Sequence, residues 1–199
     1  MGTYTVAITG ASGAPYALRV LQELIRGGHR VYVSITREGR SILHDETGLL
    51  LKGPAADIQK ALEEALKAGK DRLRYFDEDD LYATISSGSA PIDAMVVVPC
   101  SMKALSAMAH GFASNLIERA ADVTLKERRK LIIVPRETPL SAIHLRNMLT
   151  LAEAGAHVIP AMPAFYHHPK STQDMVDFIA GRVLDALGLE NSLSPRWGS

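Results

Sequence analysis

One stretch of the chain decides the fold class: Thr3–Ile35, which reads TYTVAITGASGAPYALRVLQELIRGGHRVYVSI. Its first residues, Thr3–Thr9, are rich in β-branched side chains and predict a strand that ends in a Gly/Ser turn. A helix is predicted over Tyr16–Ile25, where apolar residues recur at helical spacing, and Gly27-Gly28 ends it. Val31–Ile35 predicts a second strand. The unit is therefore β-α-β, with its two strands parallel.

The rest of the chain continues this alternation. Three later apolar runs each lead to a proline: Ala94–Val98, Leu131–Val134 and His157–Ile159. Such runs predict strands covered on both faces, and proline is expected to end each one because it has no N–H for the ladder. The predicted helices are Ala55–Lys67, Ser101–Ala109, Leu116–Arg128, Pro139–Glu153 and Thr172–Leu187. The sequence thus predicts a three-layer, doubly wound α/β fold (Rossmann or flavodoxin-like) with about six mostly parallel strands.

Composition narrows the class of function. The chain has 199 residues, with 22 Lys plus Arg against 22 Asp plus Glu, so nothing favours a nucleic-acid partner. No apolar run is long enough to span a membrane, and the first residues lack the pattern of a signal peptide. The one cysteine, Cys100, cannot form an internal disulfide. We expect a cytoplasmic protein with one domain over residues 1–190 and a C-terminal extension over 191–199.

The loop after the first strand is a candidate anion site. In open parallel sheets ligands bind beyond the carboxyl ends of the strands. There, Gly10, Ala11 and Ser12 let a ligand approach the backbone, and the following helix is expected to offer free N–H groups to an anion. The spacing departs from the dinucleotide fingerprint, and the second strand ends at Thr36 where that fingerprint needs an acid. Nicotinamide dinucleotides are therefore disfavoured, and a simple tight turn is the alternative.

A second polar loop, Cys100-Ser101-Met102-Lys103, follows the strand predicted over Ala94–Val98. Ser101 is placed to cap the next helix and to bind a phosphate there, and Lys103 adds positive charge. Two such loops side by side suggest a mononucleotide, for which FMN is the natural candidate. Capping alone would also explain Ser101. Cys100 is predicted to be a small buried thiol rather than a nucleophile.

The pair Arg136-Glu137 directly follows the strand that contains IIVP. Arginine at this edge suits bidentate binding of a phosphate, and a carboxylic acid beside a phosphate transfers protons. Thr138 and Pro139 are expected to start the next helix, which would place the pair on a fixed elbow. Arg119 and Lys126, seven residues apart on a predicted helix, share one face. By themselves they predict only a solvated surface.

The segment Pro163–Pro169, PAFYHHP, follows the last strand, and its Tyr166 is able to hydrogen-bond a ligand. The adjacent histidines His167 and His168 raise the question of a metal. Sequence neighbours usually point apart, and no further His or Cys completes a ligand spacing, so no metal is expected. The positions of Arg182 and Glu46 in the sequence do not by themselves indicate a function.

Together these segments resemble the UbiX-type flavin prenyltransferases. The resemblance covers nearly the whole chain and runs through TGASGA, CSMKALSAMAHG, SNLIERAADVTLKERRKLIIVPRETPLS and PAMPAFYHHP. VPRETPLS and PAFYHHP are highly specific, whereas GASGA alone is weak. One departure is Ala104, where the family often has Thr, which removes one hydroxyl contact to the flavin.

The resemblance implies an activity. Such enzymes bind reduced FMN and attach a dimethylallyl group from dimethylallyl phosphate to its N5 and C6, without a metal. The product, prenylated FMN, is supplied to UbiD-type decarboxylases. The family commonly assembles as a homo-oligomer, a dodecamer. Dimethylallyl monophosphate and diphosphate both remain open as the donor.

Matching positions carry the family's site residues over to this chain. Those that match FMN-binding positions are Gly10, Ala11, Ser12, Thr36, Ser101, Met102, Lys103, Ala104 and Arg136. Those that match the group holding the substrate phosphate are Ser87, Arg119, Lys126, Arg136, Tyr166 and Arg182. Glu46 and Glu137 match acidic residues used in proton transfer, and the resemblance gives Ser12, Lys126 and Tyr166 catalytic positions beside them. Trp197 matches an aromatic near the prenyl site. If sites form at subunit contacts, some of these residues serve a neighbour's flavin.

Two other functions fit the same fold. One is an FMN-dependent decarboxylase of cysteinyl compounds, but in that pattern Asn follows the PAM segment, and here Pro163 follows Met162. The other is a non-catalytic flavin carrier, which gives Arg136, Glu137 and Tyr166 no task.

Overall fold

The computed structural model describes residues 1–195 as one six-stranded sheet. The strands are β1 (Thr3–Ile8), β2 (Arg30–Ile35), β3 (Leu73–Asp77), β4 (Ala94–Cys100), β5 (Lys130–Pro135) and β6 (His157–Val158). Every pair is parallel, in the order β3-β2-β1-β4-β5-β6. The predicted doubly wound fold is confirmed.

Helices cover both faces of the sheet. They are α1 (Ala14–Arg26), α2 (Arg37–Thr47), α3 (Ala55–Leu66), α4 (Met102–Ala109), α5 (Leu116–Lys126), α6 (Ala142–Glu153) and α7 (Thr172–Leu187). Side chains of α1, α2, α3 and α7 share the core of one face, whereas those of α4, α5 and α6 belong to the other. Within residues 1–195 no helix is long and apolar enough to cross a membrane.

The central strand shows why the sheet is covered on both sides. In β1, Val6 and Ile8 contribute to the core on one face, and Ala7 contributes to the core on the other. Side chains alternate along a strand, so a strand without polar alternation must be buried twice. This burial places β1 and β4 side by side in the middle of the molecule.

The expectation that proline ends each strand is wrong for β4, whereas β5 does end at its proline. β4 continues through Pro99 to Cys100, and β5 includes Pro135. The register between β4 and β5 shifts between Val97 and Cys100. Such a bulge leaves a residue outside the regular ladder, so the missing N–H of Pro99 breaks no regular pairing.

The expectation that Pro139 begins the helix after β5 is also wrong. α6 begins at Ala142, because Ser141 caps it: the Ser141 hydroxyl accepts a hydrogen bond from the His144 N–H in a reciprocal capping box. Pro139 lies in the preceding loop, after a cis peptide bond from Thr138. Residues 136–141 therefore form a loop at the carboxyl edge of the sheet rather than a helical elbow.

Candidate active site

The strand order reverses between β1 and β4, and this switch point is where open α/β sheets bind ligands. Thr9, just beyond β1, joins the loops on either side of it. Its N–H donates to the Pro99 carbonyl over 3.2 Å, and its Oγ1 accepts from the Ser101 N–H over 2.8 Å. The sequence analysis missed Thr9, and its position as the hydroxyl residue immediately before the GASGA loop was the available signal.

The N-terminus of α1 is already occupied by an anion from the protein itself. Glu46 Oε2 accepts hydrogen bonds from the N–H groups of Gly13 and Ala14, over 2.9 and 2.8 Å. The expectation that these groups are free for a ligand's anion is therefore wrong. A side-chain carboxylate is favourable there for the same reason as a phosphate, since both complement the helix dipole.

Glu46 is ionised at neutral pH in this setting. Burial by itself would raise the pKa of its carboxyl. The hydrogen bonds from the Ser12 side chain and the two backbone N–H groups, together with the positive charge of Arg136, outweigh that effect and lower the pKa. Glu46, at the end of α2, thus holds the candidate anion loop in place.

Tyr16 is a neighbour of this group that the sequence analysis missed. Burial raises the pKa of its phenol, the charge of Glu46 raises it further, and Arg136 acts in the opposite direction. Tyr16 stands in the first turn of α1, so its position directly after the glycine loop was the available signal.

Arg136 crosses the switch point from the β5 side. Its Nε donates to the Ser12 carbonyl over 3.1 Å, and its backbone N–H donates to the Cys100 carbonyl over 3.3 Å. Among residues 1–195 no carboxylate oxygen lies within the 4.0 Å of an ion pair to its guanidinium. Its terminal amino groups are therefore available to an anionic ligand.

Glu137 lies beside a cavity of about 240 Å³ at the same edge. The side chain is exposed, and its Oε1 accepts from the Thr138 N–H over 3.0 Å. Arg136 and Glu137 form the polar wall of the cavity. The apolar walls come from the β5–α6 loop, α6 and the segment after β6, through Leu140, Met148 and Met162.

Two helix caps supply hydroxyl groups to this edge. Thr36 caps α2 by accepting from the Gly39 N–H over 3.0 Å, and Ser101 caps α4 by accepting from the Ala104 N–H over 3.2 Å. A capping hydroxyl still has its own hydrogen to donate. Of the other predicted contacts in this loop, Met102 is partly buried, Lys103 is exposed and Ala104 is buried. Capping and ligand binding are thus compatible at both positions.

The residues matched to the substrate phosphate make their contacts on different elements of the fold. A first group forms around α5, where Arg119 Nε donates to the Ser86 carbonyl over 3.2 Å and so approaches Ser87. Lys126, two turns later, is exposed at the end of α5. Because β5 begins at Lys130, Lys126 lies near the amino end of that strand.

Tyr166 and Arg182 form another group, at the β6 edge. The ring of Tyr166 lies 6.0 Å from that of Phe178, which precedes Arg182 by one turn of α7. Arg182 is exposed, with Nη1 3.3 Å from Asp185. Arg136 is the predicted phosphate ligand that contacts the Ser12 loop at the switch point. Trp197 lies outside the described residues.

Two remaining predictions concern Cys100 and the adjacent histidines. Cys100 is fully buried, burial raises its pKa, and it is the inert thiol that the sequence predicted. His167 stacks on Phe178 at 5.3 Å, and its two ring nitrogens are buried with no hydrogen-bond partner among the described residues. No cluster of His, Cys, Asp and Glu suited to a metal ion occurs in residues 1–195.

Comparisons with known proteins identify the family of this chain. The model of the Flavoprotein family matches residues 3–184, so the chain belongs to that family of α/β proteins. It is 47% identical, over 99% of this chain and 94% of the relative, to a protein of Halalkalibacterium halodurans named flavin prenyltransferase UbiX. The chain is thus a member of the UbiX flavin prenyltransferases, a class of transferases.

Solved structures match across the full length. One is described as AnUbiX (PadA1) in complex with FMN and dimethylallyl pyrophosphate; it has a TM-score of 0.87 at 40% identity and covers 100% of this chain and 98% of its own. Another is described as a dodecameric FMN-dependent UbiX-like decarboxylase from Escherichia coli O157:H7, with a TM-score of 0.86 at 40% identity, covering 99% of this chain and 100% of its own.

Proposed function

We propose that this protein joins a dimethylallyl group, taken from dimethylallyl monophosphate or diphosphate, to N5 and C6 of reduced FMN. The observation that carries the proposal is the placement of Arg136 beside Ser12 at the switch point, with Glu137 next to it on the wall of a partly apolar cavity. A cation, a proton carrier and apolar walls are what the departure of a phosphate from an allylic carbon requires. The solved relative with FMN and dimethylallyl pyrophosphate supports both ligands.

The switch-point residues fit FMN. Its phosphate needs donors without competing carboxylates, and Arg136 has no ion pair within the described part of the chain. Thr36 and Ser101 add hydroxyl donors from the two flanking helix caps. Gly10, Ala11 and Ser12 bring the backbone to the same edge. When bound, reduced FMN would supply two nucleophilic ring positions, N5 and C6. Each would lose one proton as it forms a bond to a prenyl carbon.

The chain's own residues stabilise the leaving group and handle the protons. When the allylic C–O bond breaks, its electron pair leaves with the phosphate, and cationic side chains stabilise the growing negative charge. Of the two protons displaced from the flavin, one is taken up at the prenyl double bond and one by the released phosphate. Glu137, exposed at the cavity, is placed to carry a proton between these groups. Glu46 is ionised and holds the Ser12 loop.

We infer that a complete site needs more than one copy of the chain. Arg119 of α5 contacts the Ser86 carbonyl beside Ser87, and Tyr166 packs against Phe178 of α7, whereas Arg136 contacts the Ser12 loop. Lys126 lies at the end of α5 and Arg182 on α7. Residues that bind one phosphate must converge within hydrogen-bond distance of it. A homo-oligomer satisfies this if neighbouring copies supply the two outlying groups. The dodecameric relative supports such an assembly.

The product places the protein before a decarboxylation step. We infer that prenylated FMN is passed to a UbiD-type decarboxylase in the cytoplasm. This recipient is what the resemblance to the UbiX-type flavin prenyltransferases implies. The single buried thiol is compatible with a reducing compartment.

The test is anaerobic incubation of the protein with reduced FMN and dimethylallyl monophosphate, followed by mass spectrometry of the extracted flavin. A parallel reaction uses the diphosphate. We expect the flavin to gain the mass of one dimethylallyl unit with at least one donor. Unchanged FMN with both donors would contradict the proposal. Tight FMN binding without turnover would favour a flavin carrier.

A further inference from the structure

The hydroxyl of Thr9 is buried beside the switch point, where it makes two hydrogen bonds at once. Thr9 follows β1 directly and is 1% exposed. Its Oγ1 donates to the Pro99 carbonyl over 2.9 Å and accepts from the Ser101 N–H over 2.8 Å. The Thr9 N–H donates to the same Pro99 carbonyl over 3.2 Å. This one residue therefore fixes the loop after β4 against the end of β1.

A second buried threonine of β1 shows that the sheet itself does not depend on such bonds. Thr5 is also 1% exposed, but its hydroxyl has no hydrogen-bond partner among residues 1–195. The backbone of β1 pairs with β2 and with β4 at Thr5 as it does at the neighbouring residues. The bonds of the Thr9 hydroxyl therefore act on the loop beyond the strands, where the ligand edge lies.

Ser101 is the residue in that loop whose orientation Thr9 controls. The Ser101 Oγ accepts from the Ala104 N–H over 3.2 Å and so caps α4. With its N–H bound to Thr9 and its Oγ bound to the first turn of α4, Ser101 is held at two points. Its hydroxyl hydrogen is left for an acceptor. A hydroxyl donor at the N-terminus of a helix suits a phosphate, as the FMN site requires.

We propose that Thr9 is a positioning residue for FMN, because its hydroxyl holds Ser101 in the orientation that binds the FMN phosphate. The inference rests on the FMN site of the proposed function and adds to it a residue that acts through Ser101. Valine has the shape of threonine but can neither donate nor accept at this position. Serine keeps the hydroxyl and lacks only the γ-methyl group that restricts its rotation.

The test compares FMN with riboflavin, which is the same flavin without the phosphate. Dissociation constants of both are measured by quenching of flavin fluorescence. Thr9→Val should raise the constant for FMN roughly 3- to 15-fold, which is the effect of one hydrogen bond, and should leave that for riboflavin within about twofold. Thr9→Ser should bind both flavins nearly like the wild type. Circular dichroism with a melting curve verifies that each variant is folded.

Two further variants separate the role of Thr9 from that of any buried threonine. Thr5→Val is the matched control, because it removes a buried hydroxyl that has no partner among residues 1–195, and it should bind both flavins like the wild type. Ser101→Ala should weaken FMN binding by itself. Because Thr9 acts through Ser101, Thr9→Val/Ser101→Ala should bind FMN only about as weakly as the weaker of the two single variants.

The role of Thr9 is overturned if Thr9→Val weakens riboflavin as much as FMN, which is the result expected of a merely structural hydroxyl. It is also overturned if Thr5→Val has the same effect, or if the effects of the Thr9 and Ser101 substitutions multiply in the double variant. If the wild type prefers FMN and Thr9→Val keeps that preference, this inference alone fails. If the wild type binds FMN no more tightly than riboflavin, the phosphate site of the proposed function fails together with it.

Discussion

The guanidinium of Arg136 donates a hydrogen bond from Nε to the backbone carbonyl of Ser12, over 3.1 Å. These residues follow β5 and β1, which are separated in the sheet by β4. The bond therefore spans the switch point and joins its two sides. Because Nε is used for this bond, the two terminal nitrogens of the guanidinium are left to face a ligand.

Replacing Arg136 is expected to weaken FMN binding. Arg136→Met removes a charged donor, and a hydrogen bond to a charged group contributes about 1.5–3 kcal/mol. The dissociation constant, measured by quenching of flavin fluorescence, should rise roughly 10- to 150-fold. Arg136→Lys keeps the positive charge but lacks the planar guanidinium. Its dissociation constant for FMN should lie between those of the wild type and Arg136→Met. Lys60→Met, at an exposed lysine of α3, is the control and should bind FMN like the wild type.

Glu137 is expected to affect turnover more than binding. Glu137→Gln keeps the size of the side chain and removes its ability to carry a proton. General acid–base groups typically contribute about 10²- to 10⁴-fold to rate, so a loss in kcat within that range is predicted, with little change in FMN affinity. Anaerobic turnover assays measure it. Glu64→Gln on α3 serves as the control. Normal kcat in Glu137→Gln would refute the proton role.

Replacing Glu46 is expected to lower the free energy of unfolding by an amount that depends on pH. Its pKa is lowered in the folded protein, so its contribution to the free energy of unfolding is fully present above its ordinary carboxyl pKa. That contribution is lost as pH falls through the lowered pKa. Glu46→Ala should therefore cost about 1 kcal/mol at pH 7, as loss of a helix cap does, and almost nothing in strong acid. Urea unfolding at several pH values measures this.

The matched control for Glu46 is its neighbour. Asp45 is exposed on the same helix, and no hydrogen bond or ion pair of its side chain was found among the described residues. Asp45→Ala should leave the free energy of unfolding within about 0.5 kcal/mol of the wild type at every pH. An equal loss in both variants, or a Glu46→Ala deficit that does not shrink in acid, would contradict the role of Glu46 as the cap of α1.

A side chain at Gly13 is expected to lower the free energy of unfolding. Its φ is +121°, and a Cβ there would lie 2.8 Å from Cδ2 of Tyr16. Gly13→Ala should lower the free energy of unfolding by about 1–3 kcal/mol, from backbone strain and the clash together. Gly28 is the matched control: its φ is +75°, and a Cβ would meet nothing within 4 Å. Gly28→Ala should cost about 1 kcal/mol or less, and a larger loss there than at Gly13 would contradict this account.

Most of the fold could be predicted because apolar periodicity determines it. The β-α-β unit and Thr172–Leu187 appear in the structure nearly as predicted, since burial on both faces of the sheet dictates their patterns. The start of α6 could not be predicted from Pro139. The Ser141 cap decides it, and Pro139 follows a cis peptide bond, which depends on the surrounding structure. Likewise, the bulge at Pro99 depends on the pairing of β4 with β5.

The sequence could predict which residues lie at the site, but not which of them contact one another. Arg136 and Ser12 were expected at one edge of the sheet, and they meet there. That Glu46 caps α1 required the packing of α2 beside it, because 33 residues separate Glu46 from Gly13. Arg119 and Lys126 shared a helix face in the sequence, but only the fold shows that Arg119 contacts the Ser86 carbonyl whereas Arg136 contacts that of Ser12. Local patterns do not encode such distances.

The central claim, that one site draws residues from different copies, is tested most directly by mixing two inactive variants. Arg136→Met damages the switch-point group and Lys126→Met damages the α5 group. Each variant alone should form almost no prenylated FMN, as measured by mass spectrometry. After the two are dissociated, mixed equally and reassembled, about a quarter of the sites should have both groups intact, so activity should return toward a quarter of the wild-type value. If the reassembled mixture has its full mass but no activity beyond the sum of the two variants, the two groups act within one chain and the claim is wrong.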